Sequence, residues 1–94
     1  MYTISERDPK AARAARLLID GIRRTIVRYQ DKHDGQKPAA IMLSSDAVTV
    51  LWLAAASPDE LLCLMEHHCL KIKGVPLYRY AGAGDNFYLA EAIK

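Results

Sequence analysis

The sequence predicts an α+β fold with one long amphipathic N-terminal helix, two shorter helices and a small, mainly antiparallel sheet of three or four strands. Across residues 9–30, apolar residues recur every three or four positions, as in a helix. A short apolar run at 39–43 lies between Pro38 and the serines 44 and 45, which favours a buried strand. Beyond residue 70, apolar residues alternate with polar ones, which is typical of strands with one solvent-exposed face.

The first helix is predicted to begin at Pro9, capped by Asp8, and to end near Tyr29 or Gln30, before the turn-rich segment 31–38. Gly21 lowers helix propensity and indicates close approach of another backbone segment. One stripe of the helix is predicted to be its core face: Ala11, Ala15, Leu18, Ile19, Ile22, Ile26 and Tyr29.

The second helix is predicted to begin near Asp46 and is apolar on nearly every side. Such a helix has to be covered all round, either by the rest of the domain or by a second chain. A capping box then opens the third helix, with Ser57 as N-cap, Pro58 at the first helical position and Glu60 at the third. This helix is predicted to end around His68.

The strand pattern after the third helix begins with Leu70 and Ile72, which alternate with lysines. Gly74 and Pro76 interrupt it before residues 77–80 resume it. The pattern predicts either two strands around a tight turn or one strand bent at a glycine bulge. Residues 81–85 are a predicted turn, and 86–93 a last strand with alternating faces.

Length and composition predict one domain over residues 1–94. A content of 51% hydrophobic and 26% charged residues argues against disorder. The N-terminus is charged and no segment approaches the ~20 apolar residues of a membrane span, so we expect a cytoplasmic protein without membrane contact. Cys63 and Cys69 are too few for a disulfide framework and are expected to be reduced.

Basic charge is concentrated in the first third of the chain. Residues 1–34 carry eight Lys or Arg and five acids, a net charge of +3, whereas residues 35–94 carry a net charge of −1. Arginines at helical spacing can bind successive phosphates, which makes nucleic-acid association the alternative function; the competing interpretation is a solvated helix face. The arginines concerned are Arg13, Arg16, Arg23, Arg24 and Arg28.

Soft metal ligands occur together in Cys63, His67 and Cys69, with His68 between the last two. Structural zinc sites usually take ligands from two separated knuckles, and a second pair is missing unless His33 joins. Buried cysteines that act as small hydrophobes, and histidines beside a helix C-terminus, explain the same residues. We find no catalytic set, so we predict that the protein is not an enzyme and needs no cofactor.

Four short motifs follow one another along the chain: the strand and serine at 41–44, the helix with Leu51 and Leu53, the strand 72–77 (IKGVPL) and residues 87–89 (FYL). Their order resembles the C-terminal part of tailed-phage major capsid proteins and related small phage proteins. It covers residues 9–90. The resemblance implies a structural, assembly-forming protein of phage or prophage origin, whose long basic helix would pack among neighbouring subunits. It brings no catalytic residues.

These observations predict a non-enzymatic protein that acts through self-association as a homo-oligomer. Surplus apolar positions on the first two helices are expected to meet a second chain, and Leu17, Val27 and Trp52 are the predicted interface residues.

Overall fold

A computed structural model describes residues 2–80 and 86–91 of the chain. Within them lie three helices, α1 (Pro9–Lys32), α2 (Ser45–Leu53) and α3 (Pro58–Glu66), and four strands, β1 (Ala40–Leu43), β2 (Lys71–Ile72), β3 (Val75–Arg79) and β4 (Phe87–Ala90). The α+β class, the long first helix and the two shorter helices are confirmed. The predicted turn at 81–85 and the end of the predicted last strand, at 92–93, lie outside the described residues.

The four strands form one mixed sheet in the order β2-β3-β1-β4. β1 runs parallel to β3 and antiparallel to β4, and β2 pairs with β3 antiparallel. The sheet is therefore mainly antiparallel, as predicted, with one parallel pair. That pair exists because α2 and α3 carry the chain back between β1 and β3, and parallel neighbours need such a crossover.

α1 begins as the sequence predicts and ends slightly later. The Asp8 side chain accepts hydrogen bonds from the backbone N–H groups of Lys10 and Ala11, which satisfies two donors at the helix start. The helix continues to Lys32 because His33 caps it. The Nδ1 atom of His33 lies 2.8 Å from the carbonyl oxygen of Tyr29, and the two rings stack with their centroids 3.9 Å apart.

Serine caps set the starts of the other two helices. The Ser44 hydroxyl accepts a hydrogen bond from the Ala47 N–H at 3.1 Å, and Ser57 accepts one from the Glu60 N–H at 3.4 Å. The Ser57 cap confirms the predicted start of α3. Its end differs, since α3 stops at Glu66 and His68 already has a positive φ of 55°.

A two-residue turn separates β2 from β3. Lys73 and Gly74 both have positive φ angles, 50° and 78°, and Ile72 pairs directly with Val75. Two positive φ angles in a two-residue loop define the type I′ hairpin turn, whose twist matches that of the flanking strands. Of the two predicted alternatives, the structure adopts the two strands around a tight turn.

The core lies between the helices and one face of the sheet. Residues from all three helices join a single buried cluster with Ile41 and Leu43 of β1 and Val75 and Leu77 of β3. On α1 the buried residues are Ala12, Ala15, Leu18, Ile22 and Ile26. The predicted stripe therefore faces the core. It differs at its start, where Ala12 is buried and the predicted Ala11 is only half-buried.

The N-terminal lead is attached to the end of α2. Ile4 forms an isolated β-bridge with Ala55, and the Tyr2 hydroxyl donates a hydrogen bond to the Leu51 carbonyl oxygen at 2.7 Å. Burial raises the pKa of Tyr2 to about 12, because the charged phenolate loses solvation there. The residues before α1 thus pack on the same side of the sheet as the helices.

Candidate interaction surfaces

The three predicted interface residues are exposed, and Leu17 and Val27 lie on separate parts of α1. Leu17 is 60% exposed, and Val27 and Trp52 are each 42% exposed. Leu17 and Val27 are ten residues apart on α1, which separates them by ~15 Å along the helix axis and about 80° around it. Trp52 belongs to α2. A partner that covers Leu17 would therefore need a second contact region to reach Val27.

Leu17 lies at a groove between α1, α2 and β4, which we call the helix groove. Its volume is about 340 Å³. Its lining is mostly apolar and consists of Ala14, Leu17, Leu18, Ala47, Val50, Asn86 and Phe87.

Gly21 brings the Phe87 ring close to α1 beside this groove. A Cβ atom at Gly21 would lie 3.8 Å from the ring, an ordinary van der Waals distance. The close approach predicted at Gly21 therefore exists, but its partner is an aromatic side chain and not a backbone segment.

The second helix remains partly uncovered. Ala47, Val48 and Leu51 are buried, whereas Leu53 is 53% exposed and Trp52 is also open to solvent. Packing from α1 and α3 reaches only one side of the helix, so the described residues of the chain do not provide the all-round cover that its sequence requires.

The five arginines of the predicted phosphate-binding face are all exposed. Two of them have acidic partners: Arg16 pairs with Glu6, and Arg23 lies 3.8 Å from the Asp20 carboxylate. Among the described residues, Arg13, Arg24 and Arg28 have no such ion pair. These three point away from the core, on the outer side of α1.

The predicted metal ligands Cys63, His67 and Cys69 are exposed near the end of α3. The Cys69 thiol donates a hydrogen bond to the His67 carbonyl oxygen at 3.4 Å, and the His67 N–H donates to the Cys63 carbonyl oxygen. In residues 2–80 and 86–91 no three Cys, His, Asp or Glu side chains converge as a metal site would require. The structure therefore does not bring the three ligands together.

The second face of the sheet carries an aromatic surface that sequence reasoning missed. We call it the tyrosine face and define it as Met42, Tyr78, Tyr80 and Tyr88. Side chains alternate between faces along a strand, so these residues lie opposite Ile41, Leu77 and Leu89. In the described part of the chain, none of the four is part of the core cluster.

Strand register arranges the tyrosine face in rows. Met42 pairs with Tyr78 on one side and with Tyr88 on the other, which makes one row across three strands. The Tyr80 and Tyr88 rings meet edge to face with centroids 4.9 Å apart, and the His68 ring stacks on Tyr78 at 4.5 Å. Tyr88 is 47% exposed and is the most open of the three tyrosines.

The period-two spacing of Tyr78 and Tyr80 was visible in the sequence, and it could have placed both on one face. Their meeting with Tyr88 depends on the strand order, which alternation alone does not give.

Comparison with known protein families, with curated proteins and with solved structures finds no match to this chain. Among the described residues, no helix has both the length and the apolar character needed to cross a membrane.

Proposed function

We propose that this protein is a non-enzymatic structural subunit that assembles with copies of itself, as the phage-type resemblance of its motifs also implies. The observation that carries the proposal is the helix groove, whose mouth holds Leu17, the most exposed large hydrophobic side chain among the described residues. Large apolar side chains grouped at a groove commonly mark protein–protein contact sites.

Further support comes from α2, which leaves Leu53 and Trp52 exposed. Val50 of the same helix lines the helix groove. A second copy that covers the groove and the outer side of α2 would complete the burial that this helix needs. Aromatic anchors such as Trp52 are enriched among residues that dominate binding energy at interfaces.

The test is molar mass in solution, measured by multi-angle light scattering at low and high salt. We expect a defined multimer that salt does not dissociate, because apolar contacts are not screened by ions. Leu17→Glu should lower the molar mass, since it would place a carboxylate in the apolar contact. A wild-type protein that stays monomeric at every concentration tested would contradict the proposal.

The matched control is Gln36→Glu, which introduces the same carboxylate at an exposed position in the turn between α1 and β1. It should leave the molar mass unchanged. If Leu17→Glu also leaves a wild-type-like multimer, the assembly contact lies away from the helix groove.

A second candidate function is nucleic-acid association through α1, favoured by three exposed arginines that have no acidic partner among the described residues: Arg13, Arg24 and Arg28. Each phosphate contact would make binding weaken as salt rises. Under this candidate, Arg24→Gln with Arg28→Gln should reduce retention of duplex DNA on a gel and leave the molar mass unchanged. Equal retention by this variant and the wild type would remove the candidate.

A further inference from the structure

The proposed function leaves the tyrosine face unexplained, and this face differs from the helix groove in chemistry. It offers three tyrosine rings and a methionine, of which Tyr88 is exposed and the other three are half-buried. α1 and its arginines lie on the opposite side, because Ile22 and Ile26 pack in the cluster that contains Ile41. A ligand of the tyrosine face would therefore not touch the basic helix face.

Positive charge gathers at one end of this face. Lys71 pairs with Pro76, which alternation places on the same face as Tyr78. Lys73 lies in the adjoining turn, and the Nζ atom of Lys37 lies 3.0 Å from the position of a Cβ atom on Gly74. All three lysines are exposed, and neither ion pair described on α1 involves them.

Acidic charge borders the tyrosine face at Tyr78. Glu66 lines a cavity with His68 and Tyr78, next to the end of α3. Polyanion phosphates are therefore expected to run along the lysine end, with the rings beside them.

The size of the face helps to decide between occupants. The whole outer side of the sheet, which holds the tyrosine face and Lys71, spans four strands and three rows of residues, so its footprint is roughly 14 Å by 13 Å, or about 200 Å². A stable protein–protein interface buries ~800 Å² on each partner. The face is thus too small to hold a second copy by itself, whereas a sheet of four strands with exposed aromatics stacks about two or three bases in one common class of RNA-binding domain.

We propose that the tyrosine face binds single-stranded nucleic acid, with bases stacked on Tyr88 and its neighbours and phosphates held by Lys37, Lys71 and Lys73. Aromatic stacking together with a basic border is the combination that single-strand binding requires. Tyr88 is the first stacking position, because one side of the Tyr78 ring is already covered by His68. Stacking on an open ring tolerates any base, so little sequence preference is expected.

The experiment is fluorescence anisotropy of the full chain with fluorescein-labelled 12-nucleotide single strands, oligo-dT and oligo-rU, and with a duplex of the same length. We expect both single strands to bind more tightly than the duplex at 50 mM salt. The two single strands distinguish DNA from RNA as the ligand. No binding of either strand at 100 μM protein would overturn the proposal.

Variants separate stacking from other contacts. Tyr88→Ala should weaken single-strand binding about 10-fold, in the range that stacking of one base supplies. Tyr88→Phe keeps the ring and should bind like the wild type. The control is Tyr29→Ala, which removes an aromatic ring from α1, on the other side of the sheet, and should not change binding. Equal losses in Tyr88→Ala and Tyr88→Phe, or a loss in Tyr29→Ala, would overturn the proposal.

Charge-removing variants distinguish binding at the lysines beside the tyrosine face from binding at the arginines of α1. Lys71→Gln with Lys73→Gln should reduce the slope of log affinity against log salt by about 1.4, the value for two phosphate contacts to a single strand. Arg24→Gln with Arg28→Gln should leave that slope unchanged. The reverse result would assign binding to α1 and overturn the site proposed here. A fall in molar mass on Tyr88→Ala, without nucleic-acid binding by the wild type, would assign the face to a second copy.

Discussion

The two faces of the sheet are built from alternate residues of the same strands, but they differ in how deeply their side chains are buried. On the covered face, Ile41 and Leu77 are almost completely buried beneath three helices. On the tyrosine face, Met42 and Tyr78 are half-buried and Tyr88 is exposed, although all three have strong strand propensity or apolar bulk. Most of the burial therefore lies on one face of the sheet, and the other face leaves an aromatic side chain open to solvent.

The largest expected effect comes from truncation of neighbouring residues on the two faces. Ile41→Ala should lower the free energy of unfolding by about 2–5 kcal/mol, because it removes a fully buried side chain and leaves a cavity. Met42→Ala should cost only about 1 kcal/mol, since its side chain is half-buried. Urea denaturation followed by circular dichroism measures both. Equal costs would show that the tyrosine face also belongs to the core.

The turn between β2 and β3 sets the register of these strands, and so decides which of their residues lie on each face. A register slip of one residue in β2 or β3 would exchange their faces, so Gly74 in the I′ turn helps to keep Lys71 beside the tyrosines. Gly74→Ala should lower stability by about 1–2 kcal/mol, because alanine disfavours the positive φ of 78°.

Gly35→Ala is the matched control for this variant. Its φ is 83°, but no atom lies within 4 Å of the added Cβ, whereas at Gly74 the Lys37 ammonium lies at 3.0 Å. Gly74→Ala should therefore cost more than Gly35→Ala in the same denaturation assay. A smaller cost at Gly74 would mean that the Lys37 side chain moves away freely.

On the covered face, the contact between Phe87 and α1 leaves room for one methyl group. Gly21→Ala should raise the free energy of unfolding by up to about 1 kcal/mol, through the higher helix propensity of alanine. The added Cβ would meet the Phe87 ring at 3.8 Å without a clash. The exposed position Ala14 provides the inverse control, since Ala14→Gly should lose a similar amount. Thermal unfolding would measure both, and a destabilising Gly21→Ala would show that the ring packs tightly against the helix backbone.

The smallest effect concerns Tyr2, a tyrosine on the helix side. Its pKa of about 12 lies above the ordinary value of 10.0, so the unfolded chain releases the phenol proton first. The contribution of the neutral phenol is fully present below pH 10 and is lost as the pH rises towards 12. Tyr2→Phe should remove this part of the alkaline decrease in stability. Denaturation at pH 9 and pH 11 would detect it, and identical pH dependence in both proteins would contradict the assignment.

Local signals predicted most of the elements and little of their arrangement. Asp8 and Ser57 marked helix starts because capping is decided by a few adjacent residues. The neighbours of β1 were not predictable in this way, because β3 and β4 reach it from opposite sides after long connections. The tyrosine face depends on that order. For the same reason, Leu17 could be recognised as a surplus apolar position, while the helix groove beside it, which β4 helps to line, could not be predicted.

The place of β1 between β3 and β4 also sets the order in which this protein can fold. Ile41 pairs with residues 36 and 48 positions further along the chain. During synthesis, α1 and β1 leave the ribosome long before either partner strand exists, so the helices form first and the sheet closes last. Strand pairing over such long separations is slow and leaves the apolar β1 unpaired in the meantime. A chain that stops before residue 75 would lack both partners of β1 and part of the core against which the helices pack.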